Sequence, residues 1–335
     1  LREGRQRGKF PFPFTTVNSG KSEVRKSGKR ERGSGGSMWE QLVDRQKGIV
    51  NFTDELTEAI GRTRVLVAGA GGNGVVLDFL VRTGFRHFVV IDFDVVEATN
   101  LNRLPFLPDA VGKTKAEAWK EYLQAVNPGC EVTAHCRKVT KNDEAWLAEV
   151  IAGVDIVALG MTDIEPNFLI PRVCHRLRKR MVVGPGTSNC WAVSTLTHEG
   201  TVSLESVGGF GTEGIDAREI DYKAILPAFM RIYMFPGRTE RLTPGTLQKV
   251  QRGEIAPRNG KIFVSMVNAA ACWEIVKNTA VLNGIPLQNT RVIEFPVVQV
   301  FDPFRGSAYY WDAAKNRIGI PNWLTGKIRW VPFKH

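Results

Sequence analysis

Gly69-Ala70-Gly71-Gly72-Asn73-Gly74 stands between a β-branched run, Arg64 to Ala68 (RVLVA), and a stretch of helical periodicity from about Asn73 to Arg82. Glycines at Gly69, Gly71, Gly72 and Gly74 let a backbone turn sharply and approach a phosphate closely. The free N–H groups in the first turn of the following helix favour an anion. Asp92 closes the next such run, His87 to Asp92 (HFVVID), 23 residues after Gly69, where a carboxylate can accept hydrogen bonds from ribose hydroxyls. These features specify a nucleotide and do not separate NAD from ATP.

The residues that follow bear on that choice. Asp92-Phe93-Asp94 leads to Asn100-Leu101-Asn102-Arg103, and then to Gly112-Lys113-Thr114-Lys115 at the start of another helical stretch. Hydride transfer needs no arginine and lysine converging here, whereas cleavage of a triphosphate needs cations to offset the charge that develops on the α-phosphate and on departing pyrophosphate. Asp163 lies just beyond the strand-like run Val154 to Leu159. A carboxylate there, with phosphate oxygens, is the usual way to hold a hydrated Mg²⁺. Taken singly, each charged residue reads as a solvated surface group.

The ordered set RVLVAGAGGNG, IDFDVVEATNLNR, GKTK and MTD resembles the ThiF family, the ubiquitin-activating-enzyme-like adenylyltransferases. The likeness covers about Met38 to Thr197. It implies that Gly69, Gly71, Gly72 and Gly74 face ATP phosphates and that Asp92 meets the ribose. It further implies that Asn100, Arg103 and Lys115 contact phosphates and that Asp163 holds Mg²⁺. Arg45-Gln46 is similar to the family's arginine-glutamine pair, whose arginine reaches into the partner subunit's site, so Arg45 implies a homodimer. The implied reaction is ATP-dependent activation of a substrate carboxylate as an acyl-adenylate with release of pyrophosphate. The first substrate to consider is the C-terminus of a ubiquitin-like or sulfur-carrier protein; a modified tRNA nucleoside or a short peptide are alternatives within the same chemistry. A NAD-dependent oxidoreductase and an inactive nucleotide-binding scaffold are the rivals from other classes. The oxidoreductase leaves Arg45, Arg103, Lys115 and Asp163 without a role.

Departures from the family pattern are Asn73, where an aliphatic residue is usual, and Ile164, where asparagine often follows the metal-binding aspartate. The five cysteines, Cys130, Cys136, Cys174, Cys190 and Cys272, contain no C-x-x-C pair, which argues against a zinc ribbon or a disulfide framework. No cysteine lies between Cys190 and Cys272. Cys190 is read as a small apolar residue and not as a transfer nucleophile.

These groups need a scaffold of strands alternating with helices. The pattern predicts an α/β fold, a doubly wound, mainly parallel Rossmann-like sheet with antiparallel strands and a C-terminal elaboration. Strand-like runs recur at Glu131 to His135 and Met181 to Val183. Helices are expected around Thr114 to Val126, Asp143 to Ile151, Pro166 to Arg178 and Ile262 to Leu282. Trp191 to Thr197 and Thr201 to Val207 read as an antiparallel hairpin, and Val292 to Phe301 as further strand. The expected divisions are a disordered basic segment over 1–37, a nucleotide-binding adenylation core over 38–207, an irregular insertion over 208–260, and a C-terminal helix and strands over 261–335 that complete the domain.

Composition agrees with a chain able to bury a core, at 43% hydrophobic and 24% charged. The net charge is +11, but Lys and Arg concentrate in residues 1–37, which end in Gly33-Ser34-Gly35-Gly36-Ser37. The remainder is only mildly positive and gives no independent reason to invoke nucleic acid, tRNA excepted as a substrate. Met38 is the expected natural start. No apolar run approaches the ~18 residues of a membrane span, so a cytoplasmic protein without membrane association is expected.

Overall fold

Near-continuous apolar runs, buried on both sides, form the inner strands of the parallel half of the sheet, and a mixed, partly exposed run forms its edge. In the computed structural model β1 (Arg64–Ala68), β2 (His87–Ile91), β3 (Glu131–His135), β4 (Ile156–Leu159) and β5 (Arg180–Val183) pair in parallel in the order β3-β2-β1-β4-β5. β6 (Trp191–Leu196) pairs antiparallel with β5, and β7 (Val297–Asp302), β8 (Ser307–Asp312), β9 (Arg317–Pro321) and β10 (Ile328–Pro332) continue the antiparallel run. The structure describes residues 37–184, 191–196, 203–233, 243–251, 254–255, 260–302, 306–322 and 327–332.

The helices among the described residues are α1 (Met38–Val43), α2 (Asp54–Arg62), α3 (Val75–Thr83), α4 (Lys115–Val126), α5 (Glu144–Ala152), α6 (Ile164–Arg176), α7 (Leu204–Gly208), α8 (Tyr222–Tyr233), α9 (Pro244–Gln251) and α10 (Lys261–Leu282). Of these, α2, α3, α4 and α10 cover one face of the parallel half and α5 and α6 the other. Side chains alternate along each strand with period two. Val65, Val67, Phe88, Val90, Ile156 and Ala158 join the core built with α2, α3, α4 and α10. Leu66, Ala68, Val89, Ile91, Val157 and Leu159 join α5 and α6 on the other side. Leu66 is fully buried, and its truncation to alanine is worth about 2–5 kcal/mol.

The second arm of the expected hairpin is a correction. Ser203 accepts the amide N–H of Ser206 and starts α7, so 203–208 is helical, and the antiparallel partners of β6 are β5 and β7. Glu205 is buried there in a two-pronged pair with Arg172 of α6, at 2.8 and 2.7 Å, which ties α7 to α6. The glycine and proline breaks after Gly208 conceal α8 and α9. Ile220, Tyr222 and Ile225 pack on Phe168 of α6. β7 starts at Val297, later than the apolar run suggests. Among the described residues no helix is long and apolar enough to cross a membrane.

Candidate active site

The strand order reverses between β1 and β4, whose chains run on to opposite faces, and in such sheets ligands bind at the carboxyl ends flanking that point. The glycine turn follows β1, Asp92 follows β2 and Asp163 follows β4. Because β2, β1 and β4 are parallel neighbours, all three groups emerge at one edge.

Gly69 has φ +91°, and a Cβ there would lie 2.6 Å from the carbonyl oxygen of Gly160, so only glycine lets the turn pass so close to the end of β4. Gly74 is crowded by Trp119 of α4, whose indole N–H donates to the Ala70 carbonyl at 2.8 Å. Around Gly71 the space beyond the backbone is open. The turn is therefore braced from below and free above. Gly72 to Gly74 form one turn of 3-10 helix that runs into α3.

Asp92 is 8% exposed. Its Oδ2 accepts the Ala70 N–H at 2.6 Å and its Oδ1 the Asp94 N–H at 2.8 Å. Each oxygen keeps lone-pair capacity for a further donor such as a ribose hydroxyl. Burial raises the pKa of this carboxyl above its ordinary value, outweighing the two backbone donors and the nearby Lys115, which act in the opposite direction.

Lys115 opens α4, where Thr114 accepts the Glu117 N–H as a cap. Its backbone N–H donates to the Asp94 carbonyl at 2.8 Å and its Nζ to Asp94 Oδ2 at 2.7 Å. The lysine side chain is 10% exposed and the aspartate side chain 49%, so the pair opens to the surface through its acid. Asn100 is buried and turned to local work: its Oδ1 accepts the Glu97 N–H, capping the short turn Ala98–Asn100. Arg103 donates from Nη1 to Thr99 O and Asn102 Oδ1, while its Nε is buried with no partner among the described residues. Burial lowers its pKa, with Glu97 opposing.

Asp163 sits at the N-cap of α6, and its side chain makes no capping bond. Asn167 Nδ2 donates to the carbonyls of Met161 and Asp163, both at 2.7 Å, and fixes that segment. Ile164, the departure beside it, packs against the Phe168 cluster. Among the described residues no three His, Cys, Asp or Glu side chains group as a metal cluster. A divalent ion at Asp163 would accordingly draw most of its ligands from phosphate and water, which suits Mg²⁺.

Arg45 lies apart from these groups. It is exposed on a 3-10 turn, and neighbouring Gln46 donates to the Thr83 carbonyl at the end of α3 remote from the glycine turn. Cys190 lies outside the described residues. Cys174 and Cys272 are buried, and burial pushes the Cys272 thiol up to about 12.

Three groups were not legible as site residues. Lys138 follows β3 with its Nζ 4.0 Å from Asp163 Oδ2 and 5.4 Å from the centre of the Phe93 ring; only its place at a strand's carboxyl end signals it. Asp94 was visible beside Asp92 but carried no sign of its tie to Lys115. Asn268 of α10 donates to the Gly72 carbonyl at 2.9 Å, and nothing in the sequence points to it. A separate cavity of about 540 Å³ lies by the C-terminal half of α6. Its cations are already engaged, Arg172 by Glu205, Arg176 by Glu144 and Lys179 by the carbonyls of Ala152 and Val154.

The chain is 42% identical over 136 residues to the NEDD8-activating enzyme E1 catalytic subunit of Caenorhabditis elegans, covering 35% of this chain and 32% of that protein. It is 34% identical over 125 residues to the adenylyltransferase and sulfurtransferase MOCS3 of Culex quinquefasciatus, covering 37% and 28%. The chain thus spans about a third of the length of these curated relatives. Among solved structures, E. coli MccB with ATP aligns at a TM-score of 0.55 and 17% identity, over 77% of this chain and 66% of that one. E. coli tRNA N6-threonylcarbamoyladenosine dehydratase, TcdA, in complex with ATP, aligns at 0.53 and 21%, over 74% and 98%. At these identities the structural likeness establishes the fold. Residues 43–233, more than half of the chain, match the ThiF family, and the chain belongs to it.

Proposed function

We propose that this protein is an ATP-dependent adenylyltransferase that activates a carboxylate. The observation that carries the reading is the convergence, at one sheet edge, of an open-topped glycine turn, a buried Asp92 fastened to it, Lys115 on Asp94, and the half-exposed Asp163. Arg103, with a buried guanidinium nitrogen that has no partner among the described residues, supports it further. Membership of the ThiF family and the names of the relatives agree with it.

In this reading a substrate carboxylate oxygen attacks the α-phosphorus of ATP in line. The new P–O bond forms as the bond to the bridging α–β oxygen breaks, and pyrophosphate leaves with that electron pair. The nucleophile is already an anion, so no general base is required. The glycine turn and the first N–H groups of α3 hold phosphate oxygens. Arg103 and Lys115 offset charge on the α-phosphate and the leaving group, and Asp92 receives the ribose. Asp163 would hold Mg²⁺, which neutralises phosphate charge when bound. Arg45 is remote from its own chain's glycine turn, which supports a homodimer in which it completes the partner's site.

The preferred substrate is the C-terminal carboxylate of a ubiquitin-like or sulfur-carrier protein. Carboxylate-dependent exchange of labelled pyrophosphate into ATP tests the reaction, and carrying it out with carrier proteins, short peptides and modified tRNA in turn tests the substrate. Asp163→Ala is expected to abolish the exchange with the fold intact. Exchange at the wild-type rate in that variant removes Asp163 from the mechanism. A wild-type protein that binds ATP without exchange is the inactive scaffold, and one that binds NAD and not ATP is an oxidoreductase.

A further inference from the structure

α10 lies outside the segment that matches the family, yet it touches both phosphate-facing elements. Asn268 is 1% exposed, and its Nδ2 donates to Val264 O at 2.7 Å and to Gly72 O at 2.9 Å. The first bond is the ordinary recourse of a helical asparagine; the second reaches across 196 residues to the middle of the glycine turn. Seven residues earlier on the same helix, Lys261 Nζ donates to the Arg103 carbonyl at 3.1 Å. Asn268 Oδ1 is buried with no partner among the described residues. A core helix gains nothing from such an orphaned acceptor, so the amide must be sought for what its donor does.

We propose that α10 sets the glycine turn for the nucleotide, and that Asn268 is the positioning residue through which it acts. In a trans peptide the carbonyl and the next N–H point in opposite directions. Holding the Gly72 oxygen therefore fixes the direction of the Asn73 N–H. Glycine at 72 leaves that peptide plane free to rotate at little cost, and a rotated plane would present an oxygen where an N–H faced the ligand. Two carbonyls are tied by one helix, Gly72 by Asn268 and Arg103 by Lys261, so α10 holds the turn and the arginine segment in one frame. Asn73, beside Gly72, packs on Gly160 with its own Nδ2 buried and without a partner among the described residues, so among them the turn has no side-chain tie of its own there.

This inference rests on the adenylation reading, and the test separates the two. The wild-type chain and its Asn268→Ala variant are titrated with Mg-ATP by calorimetry and followed in pyrophosphate exchange. The expected result is a tenfold or greater rise in the Kd and KM for ATP. Turnover at saturating ATP stays within threefold and the KM for the carboxylate substrate is unchanged, while the thermal midpoint falls only by the few degrees that one lost buried donor costs. ATP affinity equal to wild type overturns the proposal. So does an equal loss in affinity for both substrates, which marks general damage. If Asn268→Ala does not fold, Asn268→Leu, which keeps the volume, is read the same way, and failure of both makes Asn268 a core residue only. If wild type itself binds no ATP, the adenylation reading fails and this inference goes with it.

Discussion

Lys115 and Lys277 are both buried lysines paired with an acid, and they mark opposite designs. Lys277, on α10, meets Glu274 Oε2 at 2.5 Å with both side chains under 5% exposed. Glu274 Oε1 also accepts Thr195 Oγ1 at 3.0 Å and the Ile293 N–H at 2.6 Å, while Lys277 donates to the Arg291 carbonyl at 2.7 Å. Asn278 links Thr195 to Arg180 of β5. The network joins α10 to β5 and β6, where the sheet changes from parallel to antiparallel. Lys115 instead faces Asp94, whose side chain is half exposed. A closed network holds the fold, whereas a pair with one open side can exchange its acid for a phosphate.

Breaking the closed network is expected to have the largest effect on folding. Glu274→Ala leaves Lys277 as a buried, uncompensated charge and should cost about 3–5 kcal/mol, read as a lower midpoint in urea unfolding. A loss below about 1 kcal/mol would place the network with surface pairs. Lys115→Ala should divide the other way. Pyrophosphate exchange is expected to fall by ~10²-fold or more, with a stability change of about 1 kcal/mol or less. A variant that exchanges normally but melts early would move Lys115 into the class of Lys277.

Two aspartates extend the contrast. Asp143 is buried, which acts to raise its pKa, but the hydroxyl and amide of Thr140 and the guanidinium of Arg137 outweigh burial and hold it below the ordinary value. Its stabilisation is present above the ordinary aspartate value of 3.8 and is lost as pH falls through the lower folded value. Asp92 is shifted upward by burial. Folding therefore favours the neutral acid relative to the unfolded chain, and stability contributed by this group declines as pH rises from 3.8 through the raised folded value. Ribose hydroxyls donating to the ionised form would pull that pKa down, so nucleotide binding should release protons in this acidic window. ATP affinity is expected to weaken as pH falls through it in wild type, and that dependence should disappear in Asp92→Asn. Calorimetry in buffers of different ionisation enthalpy reads the proton release directly. An unchanged pH profile in Asp92→Asn would detach the carboxyl from the ligand.

The same distinction governs what could be read in advance. β1, β2 and the glycine turn were legible because apolar runs bounded by glycine carry their own signal; Asp92 was placed by its spacing from that turn, and Lys115 by the family resemblance of the GKTK motif. The strands β8 to β10 were not, since Ser307–Asp312 and Ile328–Pro332 are short and mixed, and earn their pairing from neighbours distant in sequence. The run 201–207 reads as a hairpin arm after His198-Glu199-Gly200, and over its described residues the Ser203 cap with the Arg172–Glu205 pair decides for a helix. Asn268 was invisible because one amide in an apolar helix has no periodicity to betray it.

The smallest expected effect sits at the exposed extreme of the series. Lys138 lies 4.0 Å from Asp163, with side chains 59% and 55% exposed. At that distance two unit charges in water interact by about 1 kcal/mol, and screening and side-chain entropy reduce it further. Lys138→Ala should therefore leave the unfolding midpoint unchanged within error. What it should alter is competition: the ammonium and a divalent ion seek the same carboxylate, so removing the lysine is expected to lower the Mg²⁺ concentration needed for half-maximal exchange by roughly two- to five-fold. A Mg²⁺ requirement that rises instead would mean that Lys138 serves the phosphates and not Asp163. The lysine would then belong with Lys115 among the groups that meet the nucleotide.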